Sequence, residues 1–143
     1  MHLIGMGQVR DIMQKNVITI DQDKSALDAS KMLSEKKISF LVVQKDSRPI
    51  GVITERDIVQ KISSLDEKPS EFLLRDIMTQ EFKWVNPEED IENAIQKMLN
   101  NNIRRLLVLD DKKLVGVITQ TDLAGFLRSR LLINGTLKKI ESN

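Results

Sequence analysis

The sequence predicts an α/β fold made of two copies of one β-α-β-β-α unit, and three observations carry that prediction. The segment GVITERD at 51–57 has a near-copy, GVITQTD, at 116–122. Sliding the chain along itself by 65 positions, the distance from Gly51 to Gly116, lays 9–62 over 74–127 without a gap. Within both copies the apolar period switches between strand-like and helix-like in the same order. Roughly a quarter of the overlaid pairs are identical, and repetition of this kind decides the architecture before any single motif does.

Taken in order, each copy is announced by a short helical turn, Arg10-Asp11-Ile12-Met13 in one and Arg75-Asp76-Ile77-Met78 in the other. VITI at 17–20 and FKWV at 82–85 are runs of β-branched or aromatic residues, which predict a first strand. SALDASKMLSEKK then places Ala26, Ala29, Met32 and Leu33 at helical spacing, and DIENAIQKMLNNN does the same with Ile91, Ala94, Ile95, Met98 and Leu99. SFLVVQ with PIGVIT, and RLLVLD with LVGVIT, are apolar runs separated by KDSR and DDKK, so each pair predicts a hairpin. Asp110 and Asp111 belong to the second of those turns. RDIVQKI and TDLAGFL return to a helical period. The polar stretch 63–73, broken by Pro69, reads as a linker. The division is a first repeat with its N-terminal segment over 1–66, a second over 67–130, and a tail over 131–143 in which Asn134-Gly135 reads as a helix stop.

Composition narrows the function. A unit of about 54 residues buries little surface alone, so the two halves are expected to share one core. The chain has 143 residues, 41% of them apolar but only 3% aromatic, so that core rests on Ile, Leu, Val and Met. With 22 basic and 21 acidic residues the net charge is +1, which supplies no global field for a polyanion. There is no cysteine, and the single histidine is His2, which argues against a disulfide framework or a protein-held zinc. No apolar run approaches the roughly 18 residues of a spanning helix, and MHLIGMGQVR lacks a long apolar stretch, so a cytoplasmic protein is expected.

Two readings of TERD and TQTD stand side by side. In one, Thr54 and Thr119 are helix N-caps and Asp57 and Asp122 complete a capping box three residues on. In the other the same residues hold a ligand. A capping box favours the longer Glu or Gln, and both copies carry the shorter Asp. A strand running into a helix start also presents free amides and a positive dipole end, which favour an anion. A carboxylate beside that point can accept two hydrogen bonds from a vicinal diol such as that of ribose. Gly51 and Gly116 admit close backbone approach within a strand, or mark a bulge.

An ungapped pair of β-α-β-β-α units, each opening near RDIM and ending in G-apolar-apolar-T-x-x-D, resembles a tandem cystathionine-β-synthase (CBS) domain pair, a stand-alone Bateman module. The resemblance covers about 9 to 127, and two copies of the motif at one offset make it specific. It implies repeats related by a pseudo-twofold axis, and a non-catalytic regulatory module. Such a module needs no cofactor but takes an adenine nucleotide of the AMP, ADP or ATP type as its regulatory ligand. By the same resemblance Asp57 and Asp122 hold ribose hydroxyls, with Thr54 and Thr119 supporting sugar or phosphate. Adenine contacts fall on Val17, Ile18 and Thr19 in one unit and on Phe82, Lys83 and Trp84 in the other.

Several members of the family place a phosphate-binding arginine just after the first helix. Arg104 has that place here while Ser39 stands at its repeat partner, so the two clefts are expected to be unequal. Within the motifs, Arg56 can reach a phosphate and Thr121 brings no charge. Lys83 adds another cation. Trp84 either stacks on a base or fills its cleft. The family's habit also implies a homodimer joined through helical faces, for which the helices bearing Ala29 and Ala94 permit close packing, and a regulated partner protein of unstated identity.

Other function classes have less behind them. A nucleotide hydrolase needs a positioned acid, base or nucleophile, and only the two motif aspartates are available. A nucleic-acid binder would use Arg104, Arg105, Arg128, Arg130, Lys138 and Lys139, against the balanced charge and scarce aromatics. A purely structural interaction module, with the TxxD motifs serving only as caps, is the remaining alternative.

Overall fold

The computed structural model describes residues 7–133. His2, Lys138, Lys139 and the Asn134-Gly135 helix stop lie outside them. The chain divides into two compact units. The first comprises Asn16–Phe82 with Asp111–Leu114; the second takes in 7–15, 83–110 and 115–133.

In the first unit β1 (Thr19–Asp21) leads to α1 (Ala26–Lys36), then β2 (Phe40–Lys45), β3 (Arg48–Thr54) and α2 (Glu55–Lys61). Two 3-10 turns, Ser63–Leu65 and Pro69–Glu71, and the one-turn α3 (Leu74–Ile77) follow. The second unit opens with a 3-10 turn at Val9–Asp11 and holds β4 (Trp84–Val85), α4 (Ile91–Asn101), β5 (Arg105–Asp110), all but the first two residues of β6 (Lys113–Thr119), and α5 (Gln120–Ile133). Each has a three-stranded sheet, ordered β1-β2-β3 and β4-β5-β6. In both, the first strand is parallel to the second (Thr19 opposite Val42, Trp84 opposite Leu107). The β2-β3 hairpin is antiparallel. Both hairpin turns carry two central residues of positive φ, Asp46 (50°) with Ser47 (64°) and Asp111 (50°) with Lys112 (68°). That pattern belongs to the turns whose twist matches the flanking strands.

The first strands are shorter than expected. The ladder begins at Thr19 rather than Val17, and at Trp84 rather than Phe82. Ahead of each start a single carbonyl is engaged, Ile18 by the Val42 amide (3.1 Å) and Lys83 by the Leu107 amide (3.1 Å). Each is the outer strand of its sheet, paired with another strand on one flank, and edge strands are commonly short. The linker is also more ordered than its composition suggests: the Phe72 carbonyl accepts from the Ala26 amide at 2.9 Å, and Phe72 packs on the first core. The last helix runs to Ile133, so the first three residues assigned to the tail are helical. Leu99 does not join the buried face of α4; it is 70% exposed. At about 100° per residue it sits roughly 80° round from Ile91, at the margin of a stripe that Ile91, Ala94 and Met98 already fill.

Buried residues fall into two clusters, one per unit, and sharing takes the form of an exchanged segment rather than one continuous core. Leu74 and Ile77, which open the second sequence repeat, are buried in the first cluster with Ile20, Leu33, Leu41 and Ile53. Val9, which opens the first repeat, is buried in the second cluster with Val85, Ile91, Leu106 and Ile118. The RDIM segment of each repeat thus completes the other repeat's core. Each such fully buried aliphatic side chain contributes about 1.5–3 kcal/mol, which accounts for the apolar residues at these places. Ala29 and Ala94 are fully buried in the same clusters. They face their own sheets, so they offer nothing to a second chain and the alanine argument for a dimer does not hold.

Candidate functional site

The exchanged segments build the surroundings of the two aspartates. Arg75 reaches Asp23 at 2.9 Å and its repeat equivalent Arg10 reaches Glu88 at 3.2 Å. These exposed pairs orient the segments more than they stabilise them. Met78 and Met13 then lie against the glycines: a Cβ on Gly51 would stand 2.7 Å from Met78 Sδ and 2.9 Å from the Thr79 carbonyl oxygen. On Gly116 it would stand 2.8 Å from Met13 Sδ and 2.9 Å from the Gln14 carbonyl oxygen. The motif glycines are therefore required by another stretch of the same unit. Beside Gly51 there is a bulge as well, because Val43 faces Gly51 while Gln44 faces Pro49, leaving Ile50 over. Closely approached, the segments pair with the strands: Val52 and Thr79 exchange amide bonds at 2.9 and 2.8 Å, Val117 and Gln14 at 3.0 and 2.8 Å.

That pairing carries Thr79 and Gln14 over the motif aspartates. Asp57 Oδ2 accepts from the Thr54 amide (3.0 Å) and hydroxyl (3.0 Å), while the Thr54 Oγ1 accepts from the Asp57 amide (3.1 Å). Asp122 and Thr119 repeat this at 2.9, 2.9 and 3.1 Å. Both capping boxes are complete, so aspartate is long enough for the task. Asp28 with Ser25 closes a box of the same kind, and Asp11 accepts from the Gln8 amide at 2.9 Å. The choice of Asp over Glu gives no support to a ligand role, because at the third helical position the cap amide lies within hydrogen-bond reach of the shorter carboxylate. In the Ser25 box, the Ser25 amide and then its hydroxyl hold the Asp28 carboxyl below its ordinary range.

The second carboxylate oxygens differ. Asp57 Oδ1 accepts from Thr79 Oγ1 (3.3 Å) and from Lys61 Nζ (3.1 Å), and Lys61 is itself anchored on the Ile77 carbonyl (2.7 Å). Asp122 Oδ1 accepts from Gln14 Nε2 at 2.9 Å. Asp57 is 8% exposed and Asp122 more open. Gln14, Thr79 and Lys61 escaped the sequence reading. Gln14 and Thr79 had one usable signal: they are repeat partners immediately after RDIM.

Of the remaining expected residues, Ser39 and Arg104 are exposed and sit directly behind the helix starts. The Ser39 carbonyl accepts from the Glu55 amide (3.0 Å) and the Arg104 carbonyl from the Gln120 amide (2.8 Å). Arg104 therefore belongs with Asp122, in the second unit, and Ser39 with Asp57. Arg56 and Thr121 are exposed on the first turns of α2 and α5. Val17, Ile18, Thr19 and Phe82 are half-buried, and Lys83 is exposed. Trp84 is 47% exposed, so the indole does not fill an interior. Lys97 stands over its ring at 5.7 Å and donates to its carbonyl at 2.6 Å. Lys97 has no counterpart in the first copy, where Met32 takes its place.

The family model for the CBS domain matches the chain twice, over 9–64 and 74–129. The chain belongs to the CBS domain family. The two CBS matches begin at Val9 and Leu74, the first buried residues of the exchanged segments. The chain is 35% identical over 117 residues to an uncharacterized protein of Methanopyrus kandleri, covering 80% of this chain and 60% of that one. It is 33% identical over 118 residues to a homoserine O-acetyltransferase of Methanohalobium evestigatum, covering 81% of this chain but only 23% of that one. Among solved structures it is similar to the hexameric CBS-CP12 protein of bloom-forming cyanobacteria, with a TM-score of 0.74, 34% identity, and 82% and 66% of the two chains covered. The chain thus spans less than two thirds of both these curated relatives. It is a tandem CBS module, a class of domain that is generally regulatory. Among the described residues no helix is long and apolar enough to cross a membrane.

Proposed function

We propose that this CBS pair is a non-catalytic sensor that binds an adenosine phosphate at the start of α5 and passes its occupancy to a partner protein. One observation carries the reading. The capping box consumes one oxygen of Asp122, and among the described residues the other is met by a single neutral amide, that of Gln14. A carboxylate oxygen has room for about two donors, so a ribose hydroxyl can join Gln14 or displace it. Arg104, directly behind the helix start, supplies a cation for phosphate, and the half-exposed indole of Trp84 offers a surface for a base. A homodimer in the cytoplasm, signalling to a separate regulated protein, belongs to the same proposal.

Calorimetric titration with AMP, ADP, ATP and S-adenosylmethionine tests it: at least one should bind, and none should be turned over in the presence of magnesium. Arg104→Ala should weaken AMP more than adenosine, because the nucleoside has no phosphate to lose. The complete capping boxes favour a second reading, in which the TxxD motifs serve only the helices. That reading requires Asp122→Ala to lower the melting temperature while leaving the dissociation constant unchanged.

A further inference from the structure

We infer that Lys61 closes the first motif to the nucleotide, so that the chain binds one adenosine phosphate, at Asp122. The inference rests on the nucleotide reading above and narrows it to one motif. An ionised carboxylate has about four acceptor positions, two on each oxygen. At Asp57 all four are taken: Thr54 supplies an amide and a hydroxyl to Oδ2, Thr79 a hydroxyl and Lys61 an ammonium to Oδ1. A diol donating both hydroxyls to Oδ1 would have to displace the Thr79 hydroxyl and the Lys61 ammonium, and a hydroxyl put in the ammonium's place gives up the attraction between two opposite charges. Lys61 is not free to swing aside without cost, because the Ile77 carbonyl holds the same ammonium at 2.7 Å. The Asp57 side chain beneath it is 12% exposed.

At Asp122 the position equivalent to Lys61 is Phe126, which has no donor. Among the described residues the carboxylate keeps an acceptor position, and its one outer partner is the exposed Gln14. Arg104 stands on this side only, since Ser39 replaces it beside Asp57. Charge and vacancy therefore coincide at one motif. Beside Asp57 the ammonium of Lys61 is spent on the aspartate itself, and the exposed Arg56 has no open carboxylate position next to it.

The test is a calorimetric titration with AMP that reads stoichiometry as well as affinity. The parent chain should bind one AMP. Asp122→Asn keeps an oxygen for the cap amide but removes the free acceptor, and should weaken binding at least tenfold. Lys61→Met keeps the side chain's apolar stem, removes the ammonium, and should raise the stoichiometry to two. Lys61→Arg, which retains the charge, should stay at one. Combining Lys61→Met with Asp122→Asn should leave one site. Two AMP per parent chain, or undiminished affinity in Asp122→Asn, overturns the assignment while leaving the nucleotide reading intact. A stoichiometry of one in folded Lys61→Met shows that Lys61 is not what closes the motif. No binding of AMP, ADP or ATP to the parent overturns both. If Lys61→Met does not fold, the parent stoichiometry and Asp122→Asn still decide which motif works.

Discussion

Asp57 and Asp122 occupy the same place in their repeats, close the same three-bond box with a threonine, and are each covered by the residue that follows RDIM, yet they end in different electrostatic states. Asp57 is buried beneath an ammonium and a hydroxyl; Asp122 meets one carboxamide and remains more open. The difference arises from two substitutions between the copies, Lys61 for Phe126 and Thr79 for Gln14. Neither lies in the motif. A motif match therefore establishes the local conformation, and the residues packed against it decide how much of the carboxylate is left for chemistry.

The largest effect is expected from loosening the exchanged segment that places the outer donors. Leu74→Ala removes a fully buried side chain from the first core, and should cost about 2–5 kcal/mol in urea unfolding. Val9→Ala, its counterpart in the second core, deletes less and should cost less. Next in size is the close approach at the glycines. Gly51→Ala and Gly116→Ala each drive a methyl into a methionine sulfur and a carbonyl oxygen at nearly the same distances, and should each destabilise by about 1–3 kcal/mol. The two losses should match. A large inequality would mean that the segments are not equivalent supports.

The smallest effect is the sharpest. Asp122→Ala should cost about 1 kcal/mol of stability, the worth of a helix cap. Asp57→Ala also strips Lys61 and Thr79 of their acceptor, and should cost about 1 kcal/mol more, a difference kept small by the solvent that reaches Lys61. Equal losses would show that the ammonium at Asp57 contributes nothing, and would remove the physical basis for treating the motifs as unequal.

Much of this was legible in advance. The 65-residue offset, the two helices, the hairpins and their turns come from periods of 3.6 and 2 and from turn residues, all of which act between neighbours in the chain. The capping boxes were legible for the same reason, though the conclusion drawn from aspartate's length was not sound, as the bonds at 2.9–3.0 Å to the threonine amides show. The exposure of Leu99 and the late start of the first strands depend on what stands opposite, which a period does not record. The alanines that suggested a dimer are instead interior packing, since small residues that let helices approach one another also let a helix approach its own sheet.

Residue order by itself determined that this chain repeats, what each repeat is made of, and that a threonine and an aspartate stand at a helix start in both. The tertiary structure alone decided that the RDIM of one repeat completes the core of the other, and so which side chain covers which carboxylate. Gln14 and Asp122 are 108 positions apart and meet at 2.9 Å. Nothing local links them. Their meeting follows from burying Val9 in the second core and from the room left by a missing Cβ at Gly116, and such burial is a property of the packed chain rather than of any segment within it.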